Sequence, residues 1–236
     1  MLEGHHRNVE MTDYPKIFES ELLEVPTEVM RQYLAHFKGD ADTFIVKLTE
    51  AAKIWEQYEV VAVKHEKQKA ELEWSAAYFL NAVNAALVST RLFLSGYIVP
   101  SGNQARHALE SLAFGVLLCF PRTGAFQEWK KGRDIEYKAL EQLAKKASHC
   151  GVNKQNAEAL KKQAKWFDKY SHPSRLALAG VVLKPGQQGE WNLGALFVDE
   201  YLPQYRKEMA NRISLARLLA HTIAGTHAAL IDQKLI

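Results

Sequence analysis

Apolar residues recur at steps of three and four through most of this 236-residue chain, the spacing that lines one face of an α-helix. Neither glycine nor proline occurs between Gly39 and Gly96. Within that interval one stripe comprises Phe44, Leu48, Ala51, Trp55, Tyr58 and Ala62, and a second comprises Leu72, Ala76, Phe79, Val83, Leu87, Thr90 and Leu94. The stripe positions between them are polar, so either two helices meet near Lys64–Ala70 or one very long helix has a solvated middle, and we favour two helices.

Shorter helices are predicted before this pair, and three further helices after it, from apolar spacing, capping residues and the punctuating glycines and prolines. They are Tyr14–Val25, Thr27–Phe37, a helix that opens at Ser101 or Asn103 and runs to Phe120, Phe126–Ser148 and Lys154–Ser171. Asp199 is predicted to cap a last helix. Its stripe comprises Leu202, Tyr205, Met209, Ile213, Ala216, Ala220, Ile223, His227 and Leu230.

The pattern changes before that last helix. Residues 179–184 are mostly apolar with paired valines, residues 185–189 have the composition of a turn, and Glu190–Val198 again resembles a strand. We therefore predict a small β-hairpin at 179–198, inserted before the last helix of an all-α bundle of long antiparallel helices. Residues 1–12 are interpreted as a tag-like or disordered start, and residues 13–236 as one domain.

Composition narrows the class of protein only a little. The chain is 47% hydrophobic and 24% charged with a formal net charge of +3, which is typical of a globular cytoplasmic protein. The charge is unevenly placed, however. Glu10–Glu71 holds 13 acidic and 8 basic residues, whereas Glu128–Arg175 holds 12 basic and 6 acidic residues. The second region is a candidate surface for a polyanion, although lysine-rich helix faces are often merely solvated.

Several kinds of site are disfavoured by the sequence. The two cysteines lack the spacing of a zinc knuckle, and neither a phosphate-binding glycine loop nor a hydrolase nucleophile elbow occurs. We expect no metal and no cofactor. The least charged run, Ala76–Val99, approaches the length of a membrane span, but its asparagines and hydroxyl residues favour a bundle helix, so no membrane partner is expected.

The densest group of reactive side chains lies at Asp168–Arg175. It combines His172, a candidate general acid or base, with Arg175, whose guanidinium suits a phosphate. The neighbouring candidate binding residues are Tyr170, Ser171, Ser174, Lys165 and Lys169. The structural alternative is a turn that ends a helix, with its polar groups satisfying loose backbone atoms.

A second candidate pair is Arg106 and Glu110, four residues apart and therefore on one helix face. We expect Glu110 to orient Arg106 beside His172, so that Arg106 and Arg175 stabilise the charge on a reacting phosphate. The alternative is an ordinary intrahelical ion pair.

Arg106-x-x-x-Glu110 on one bundle helix, followed by a helix that closes on Tyr170-Ser-His-Pro, resembles the helical proteins of the HEPN (higher eukaryotes and prokaryotes nucleotide-binding) superfamily. The resemblance covers roughly Leu72–Arg175. It implies a four-helix-bundle core, frequent dimerisation, association with toxin or phage-defence loci, and metal-independent RNA cleavage in the active members.

The chain departs from the catalytic signature of that superfamily, an arginine separated from a histidine by four to six residues. The positions before His172 where that arginine would lie hold Lys165, Trp166 and Phe167. One literal match, Arg31-x4-His36, lies on an early predicted helix, away from the region of resemblance.

The leading hypothesis is an RNA-binding or RNA-cleaving helical bundle that forms a homodimer. The competing hypothesis is a non-catalytic interaction module that recognises an unidentified protein, in which the last helix dimerises and Arg106, Glu110 and His172 form a packing network. A small-ligand pocket lined by Trp55, Trp74 and Tyr78 is a third hypothesis.

Overall fold

The computed structural model describes residues 19–20, 23–64, 68–133, 135–170 and 194–236. Over these residues the chain forms seven α-helices and no strand, so the all-α prediction is confirmed. The helices are α1 Thr27–Lys64, α2 Lys69–Leu94, α3 Ile98–Leu118, α4 Ala125–Lys130, α5 Ala139–Lys146, α6 Lys154–Asp168 and α7 Leu202–Asp232. Single 3-10 turns occupy Pro121–Thr123, Glu136–Lys138, Ala147–Cys150 and Asp199–Tyr201.

The predicted β-hairpin at 179–198 is wrong for the part of it that the structure describes, Gly194–Val198, which contains no strand. Two contacts explain why this segment is irregular. The Leu196 amide donates to the Gly96 carbonyl at 3.3 Å, and the Phe197 ring stacks on His36 at 5.5 Å. Its apolar residues therefore pack against helices and not against a second strand. Residues 171–193 lie outside the described residues.

Helix α1 runs without a break through Gly39, where a helix end had been predicted. Nothing lies within 4 Å of the position that a Cβ would occupy at Gly39, so this glycine marks an open surface. Five of the six residues of the first stripe are buried, and Trp55 is partly buried. The predicted change of helix near Lys64–Ala70 is confirmed, since α1 ends at Lys64 and α2 begins at Lys69.

The turn between α2 and α3 requires glycine. Gly96 has a φ of +83°, and a Cβ there would lie 2.6 Å from Val29 and 2.7 Å from the Leu196 nitrogen. After this turn α3 begins at Ile98, before the predicted cap Ser101. Ser101 is instead fully buried inside the first part of the helix. Its hydroxyl donates to the Ile98 carbonyl at 2.6 Å.

Helix α2 packs along α3 and α1, and α1 packs along α7, which gives the long helices one shared apolar core. The helices α5 and α6 cover one side of α3. Left-handed Gly132, with a φ of +74°, separates α4 from the later turns, so the predicted helix Phe126–Ser148 is divided into shorter pieces. The predicted helix Lys154–Ser171 corresponds to α6, whose residues Leu160, Ala164 and Phe167 are buried.

Helix α2 is the one described helix that is long and apolar enough to cross a bilayer. It meets this criterion by length and composition alone. Of its most apolar 18-residue stretch, 44% is buried inside the protein. Leu72, Ala76, Phe79 and Val83 of the predicted stripe face the core, whereas Leu87 is half exposed. It packs against α1 and α3 within the bundle.

Candidate functional site

Arg106 of α3 lies between two carboxylates. Its Nε donates to Glu110 Oε1 at 2.9 Å, and its Nη1 lies 3.0 Å from Asp168 Oδ1 at the end of α6. These three residues are named the Arg106 cluster. The side chains of Arg106 and Glu110 remain 29% and 22% exposed, so the cluster lies at the edge of the bundle. The predicted pair thus reaches the first residue of the segment Asp168–Arg175.

The structure places only part of that segment. Tyr170 is buried, Lys165 is exposed and Lys169 is partly covered. The predicted residues Ser171, His172, Ser174 and Arg175 lie outside the described residues. The meeting of Arg106 with His172 therefore stays a prediction.

Beside the Arg106 cluster lies a buried polar group that the sequence pattern did not reveal. Glu208 of α7 is 2% exposed, and its Oε1 accepts hydrogen bonds from Lys169 Nζ at 2.7 Å and Trp166 Nε1 at 3.1 Å. Its Oε2 accepts one from Arg212 Nη1 at 3.0 Å. Lys169, a predicted binding residue, thus directs its ammonium group to this buried carboxylate.

Arg212 is the largest fully buried side chain among the described residues. Its Nη1 also donates to the Glu208 carbonyl, and its Nη2 donates to Ser101 Oγ at 2.7 Å. The guanidinium carbon lies 4.5 Å from the centre of the Phe93 ring, a cation–π distance. Glu208, Arg212, Lys169, Trp166 and Ser101 are named the Glu208 network, which joins α3, α6 and α7.

Two opposing effects set the protonation of Glu208. Burial alone would raise the pKa of this carboxyl, but the nearby Arg212 guanidinium and hydrogen bonds from Lys169 and Tyr170 more than offset that effect. The pKa of Glu208 is therefore lower than usual and the carboxylate stays ionised. Burial and the negative charge of Glu208 raise the pKa of the Tyr170 phenol, which remains a neutral hydrogen-bond donor.

Tyr170 packs against a glycine of α3. A Cβ built on Gly102 would lie 2.1 Å from Tyr170 Cδ2, so the ring occupies the space that any larger residue would fill. The Lys169 ammonium lies 3.7 Å from the Trp166 ring centre and 4.9 Å from that of Tyr170. The end of α6 is thus fixed to both α3 and α7 immediately before His172.

The lysine surface consists of exposed lysines on α6 and at the end of α5: Lys145, Lys154, Lys161, Lys162 and Lys165. Within the described ranges none of the five forms an ion pair, although Glu141 and Glu158 lie among them. Three of them line an open cleft of about 560 Å³ between α5 and α6. The cleft is lined by Glu141, Ala144, Lys145, Ala147, Ser148, Lys154, Glu158 and Lys161.

The literal Arg31-x4-His36 match is not assembled as a site. Arg31 pairs with Glu28 one turn earlier on α1, and His36 stacks on Phe197 with an interplanar angle of 6°. The two side chains thus serve different neighbours.

The aromatic residues suggested for a ligand pocket contact protein groups instead. Trp55 Nε1 donates to the Ala76 carbonyl at 2.8 Å, across the contact between α1 and α2. The rings of Trp74 and Trp129 are 4.6 Å apart, and Tyr78 packs edge-on against Phe114 at 4.8 Å. Trp74 and Tyr78 both contact Trp129 of α4, and Trp74 remains 46% exposed.

One signal in the sequence points to the Glu208 network. Arg212 lies seven residues after Tyr205 and four before Ala216, on the apolar face of α7. The predicted stripe passed through Ile213, which is only partly buried. The charged pair Glu208 and Arg212, four residues apart on the apolar face, is therefore detectable in the sequence. The partners of this pair on α3 and α6 are not detectable there.

No group of three or more potential metal ligands occurs among the residues that the structure describes. Comparison of the chain with protein-family models, with curated proteins and with solved structures gives no match.

Proposed function

We propose that this chain is a HEPN-like helical-bundle protein that binds RNA on the lysine surface and cleaves it, without a metal, at the segment after α6. The observation that carries the proposal is the set of five exposed lysines with no ion pair within the described residues. Lysines that pair with RNA phosphates release the counterions condensed on the RNA, and this release favours binding without recognition of the bases.

The position of the Arg106 cluster supports the location of the chemistry. The lysine surface extends along α6 to Lys165, one helical turn before Asp168. Asp168 Oδ1 lies 3.0 Å from Arg106 Nη1, and Asp168 precedes His172 by four residues. In this mechanism His172 takes the proton of a ribose 2′-hydroxyl or protonates the departing 5′-oxygen, and water supplies or accepts the other proton. The 2′-oxygen attacks phosphorus and the bond to the 5′-oxygen breaks, which leaves a cyclic 2′,3′-phosphate and a 5′-hydroxyl. Arg106 and Arg175 stabilise the added negative charge.

Binding is tested with a fluorescently labelled single-stranded RNA and anisotropy. The double variant Lys161→Glu/Lys165→Glu should weaken binding and reduce the slope of log affinity against log salt by about 0.7 for each lost phosphate contact. The matched control is Lys53→Glu/Lys234→Glu, which changes net charge equally at exposed lysines elsewhere. Equal losses in both variants would mean that only net charge matters, and the lysine surface would then not be the RNA site.

Cleavage is tested separately, in the presence of a metal chelator. RNA should yield cyclic phosphate ends, the same oligonucleotide with deoxyribose should remain intact, and His172→Ala should abolish product formation. Cleavage that continues in His172→Ala would contradict the assigned mechanism. Binding without cleavage by the wild type would leave an RNA-binding module.

One observation favours a second candidate, a non-catalytic interaction module. Arg106 is already paired with two carboxylates, which reduces its ability to stabilise a phosphate. If the wild type neither binds nor cleaves RNA, and Arg106→Ala only lowers the melting temperature, this second candidate is favoured.

A further inference from the structure

The outer face of α2 has a regular pattern that the fold does not use. Residues Glu73, Ala77, Leu80, Asn84, Leu87 and Arg91 follow one another at alternating steps of four and three. That spacing is the heptad seam through which two helices pack side by side. All six residues are exposed, including Leu80 at 43% and Leu87 at 50%. These six residues are named the α2 seam.

The order of residues in the α2 seam is self-complementary. Glu73 and Arg91 lie equally far from Ala82, and so do Ala77 and Leu87, and Leu80 and Asn84. Two copies of α2 can pack antiparallel about a two-fold axis that crosses the seam between Leu80 and Asn84, level with the buried Ala82. Glu73 of one copy then faces Arg91 of the other at both ends. The small Ala77 then faces the large Leu87, as interdigitating packing requires.

The charges on α2 fit this arrangement. No charged residue occurs between Glu73 and Arg91, so a charge-free stretch about 27 Å long is bounded by one acid and one base. Arg91 has no ion pair within the described ranges, and the contact of Glu73 with Lys69 is long at 3.8 Å. A parallel arrangement would place like charges together at each end. The charge pattern therefore selects the antiparallel orientation.

We infer that the α2 seam is the interface of a homodimer in which two copies of this chain pack antiparallel through α2. The Glu73–Arg91 pairs at both ends fix the register, and Asn84, which then lies opposite Leu80, must direct its amide to solvent at the edge of the seam. The inference does not rest on RNA binding. It assigns the interface to α2, whereas the hypothesis of a non-catalytic interaction module places it on the last helix.

The oligomeric state of the full chain is the first test, measured by size-exclusion chromatography with light scattering. The wild type should have a mass of about 53 kDa, twice the 26.7 kDa of one chain. Leu87→Glu should be monomeric with an unchanged helical circular dichroism spectrum, because the substituted side chain is half exposed. The matched control Ile231→Glu, at a 54% exposed residue of α7, should stay dimeric.

A monomeric wild type would overturn the inference. If that monomer also sediments with phosphatidylcholine vesicles, a lipid surface covers the seam instead of a second copy. Dissociation of Ile231→Glu with retention of the Leu87→Glu dimer would place the interface on the last helix.

Orientation is tested with single-cysteine variants. Antiparallel pairing brings residue 80 opposite residue 84, so a disulfide should form when Leu80→Cys and Asn84→Cys chains are mixed and allowed to exchange. Neither variant should cross-link alone. Both native cysteines are buried and do not compete. Cross-linking of each variant with itself, or none in the mixture, would overturn the antiparallel arrangement.

Charge reversal gives an independent readout. Glu73→Arg and Arg91→Glu should each raise the dimer dissociation constant roughly five- to tenfold, since the two-fold axis repeats each end pair. The double variant restores opposite charges and should recover most of the affinity. Additive loss in the double variant would contradict the proposed pairing.

Discussion

The Arg106 cluster and the Glu208 network are built from the same kinds of groups but differ in their contact with water. Arg106 keeps 29% of its side chain exposed, so solvent screens its pairs with Glu110 and Asp168. Arg212 is fully buried away from water, and within the described residues Glu208 and Ser101 accept the hydrogen bonds of its guanidinium. Both regions contain an arginine–glutamate pair four residues apart, although arginine comes first in Arg106–Glu110 and glutamate first in Glu208–Arg212. We expect the loss of one partner to cost little at the edge of the bundle and much more inside it.

The difference also bears on function. A partly exposed cluster can exchange partners with a ligand, whereas the Glu208 carboxylate and the Arg212 guanidinium are buried and hydrogen-bonded within the protein. Arg212 Nε alone has no hydrogen-bond partner within the described residues. We therefore expect the Glu208 network to fix the position of the α6 end and the Arg106 cluster to meet a substrate.

The largest effect should come from Arg212→Met. This variant leaves the Glu208 carboxylate buried without its main counter-charge, and we expect the free energy of unfolding to fall by about 3–5 kcal/mol. Urea denaturation followed by circular dichroism measures it. Arg217→Met, at an exposed arginine of the same helix, should change stability by less than about 0.5 kcal/mol. A loss at Arg212 no larger than this control would remove the contrast between the two regions.

A smaller loss is expected for Gly102→Ala. The added methyl group must displace the Tyr170 ring, which overpacks the contact between α3 and α6 and should cost about 1–3 kcal/mol. Gly39→Ala is the control, because the same change in an open position of α1 should stabilise the helix by about 0.5–1 kcal/mol. Thermal unfolding of both variants checks the opposite signs.

The next effect in size is the loss of stability at acid pH that the Glu208 carboxylate causes. The pKa of Glu208 is lower in the folded protein than in the unfolded chain, so its contribution to stability is complete above the ordinary glutamate pKa of about 4.3. That contribution is lost as pH falls through the lower folded-state value. Unfolding free energies measured across this range should decline more steeply for the wild type than for Glu208→Gln. Matching slopes would show that Glu208 does not titrate as described.

The smallest effect is expected at the edge of the bundle. Arg106→Ala should lower the free energy of unfolding by less than about 1 kcal/mol, because both of its ion pairs are partly solvated. High salt should narrow the difference between the variant and the wild type. A loss comparable with that of Arg212→Met would mean that the Arg106 cluster is as structural as the Glu208 network.

Part of the fold was predictable because helical periodicity is local. The stripes of α1 and α2 needed no knowledge of the partner helices, and the polar residues near Lys64–Ala70 indicated the helix change. Gly39 misled because an open glycine and a helix-ending glycine are identical in sequence. Glycine ends a helix only when its φ turns positive, as at Gly96.

The hairpin prediction failed where it can be checked because the packing of apolar residues decides their conformation. Phe197 lies in the apolar run Leu196–Val198, which is typical of a strand, yet its ring packs in a cluster with Tyr33 and Tyr205 at 5.0 Å and 5.6 Å. β-Propensity describes a side chain that fits a half-buried surface, and helices supply such a surface equally well.

The sequence by itself determined the helical class, the burial of most stripe residues and the local pair of Arg106 and Glu110, since each depends on neighbours three or four positions away. Only the tertiary structure decided that Arg106 reaches Asp168, that Lys169 turns inward to Glu208 and that Arg212 meets Ser101 across 111 positions of chain. The reason is physical. A buried charge takes whichever partner the helix packing brings within hydrogen-bond distance, and local spacing carries no record of that packing.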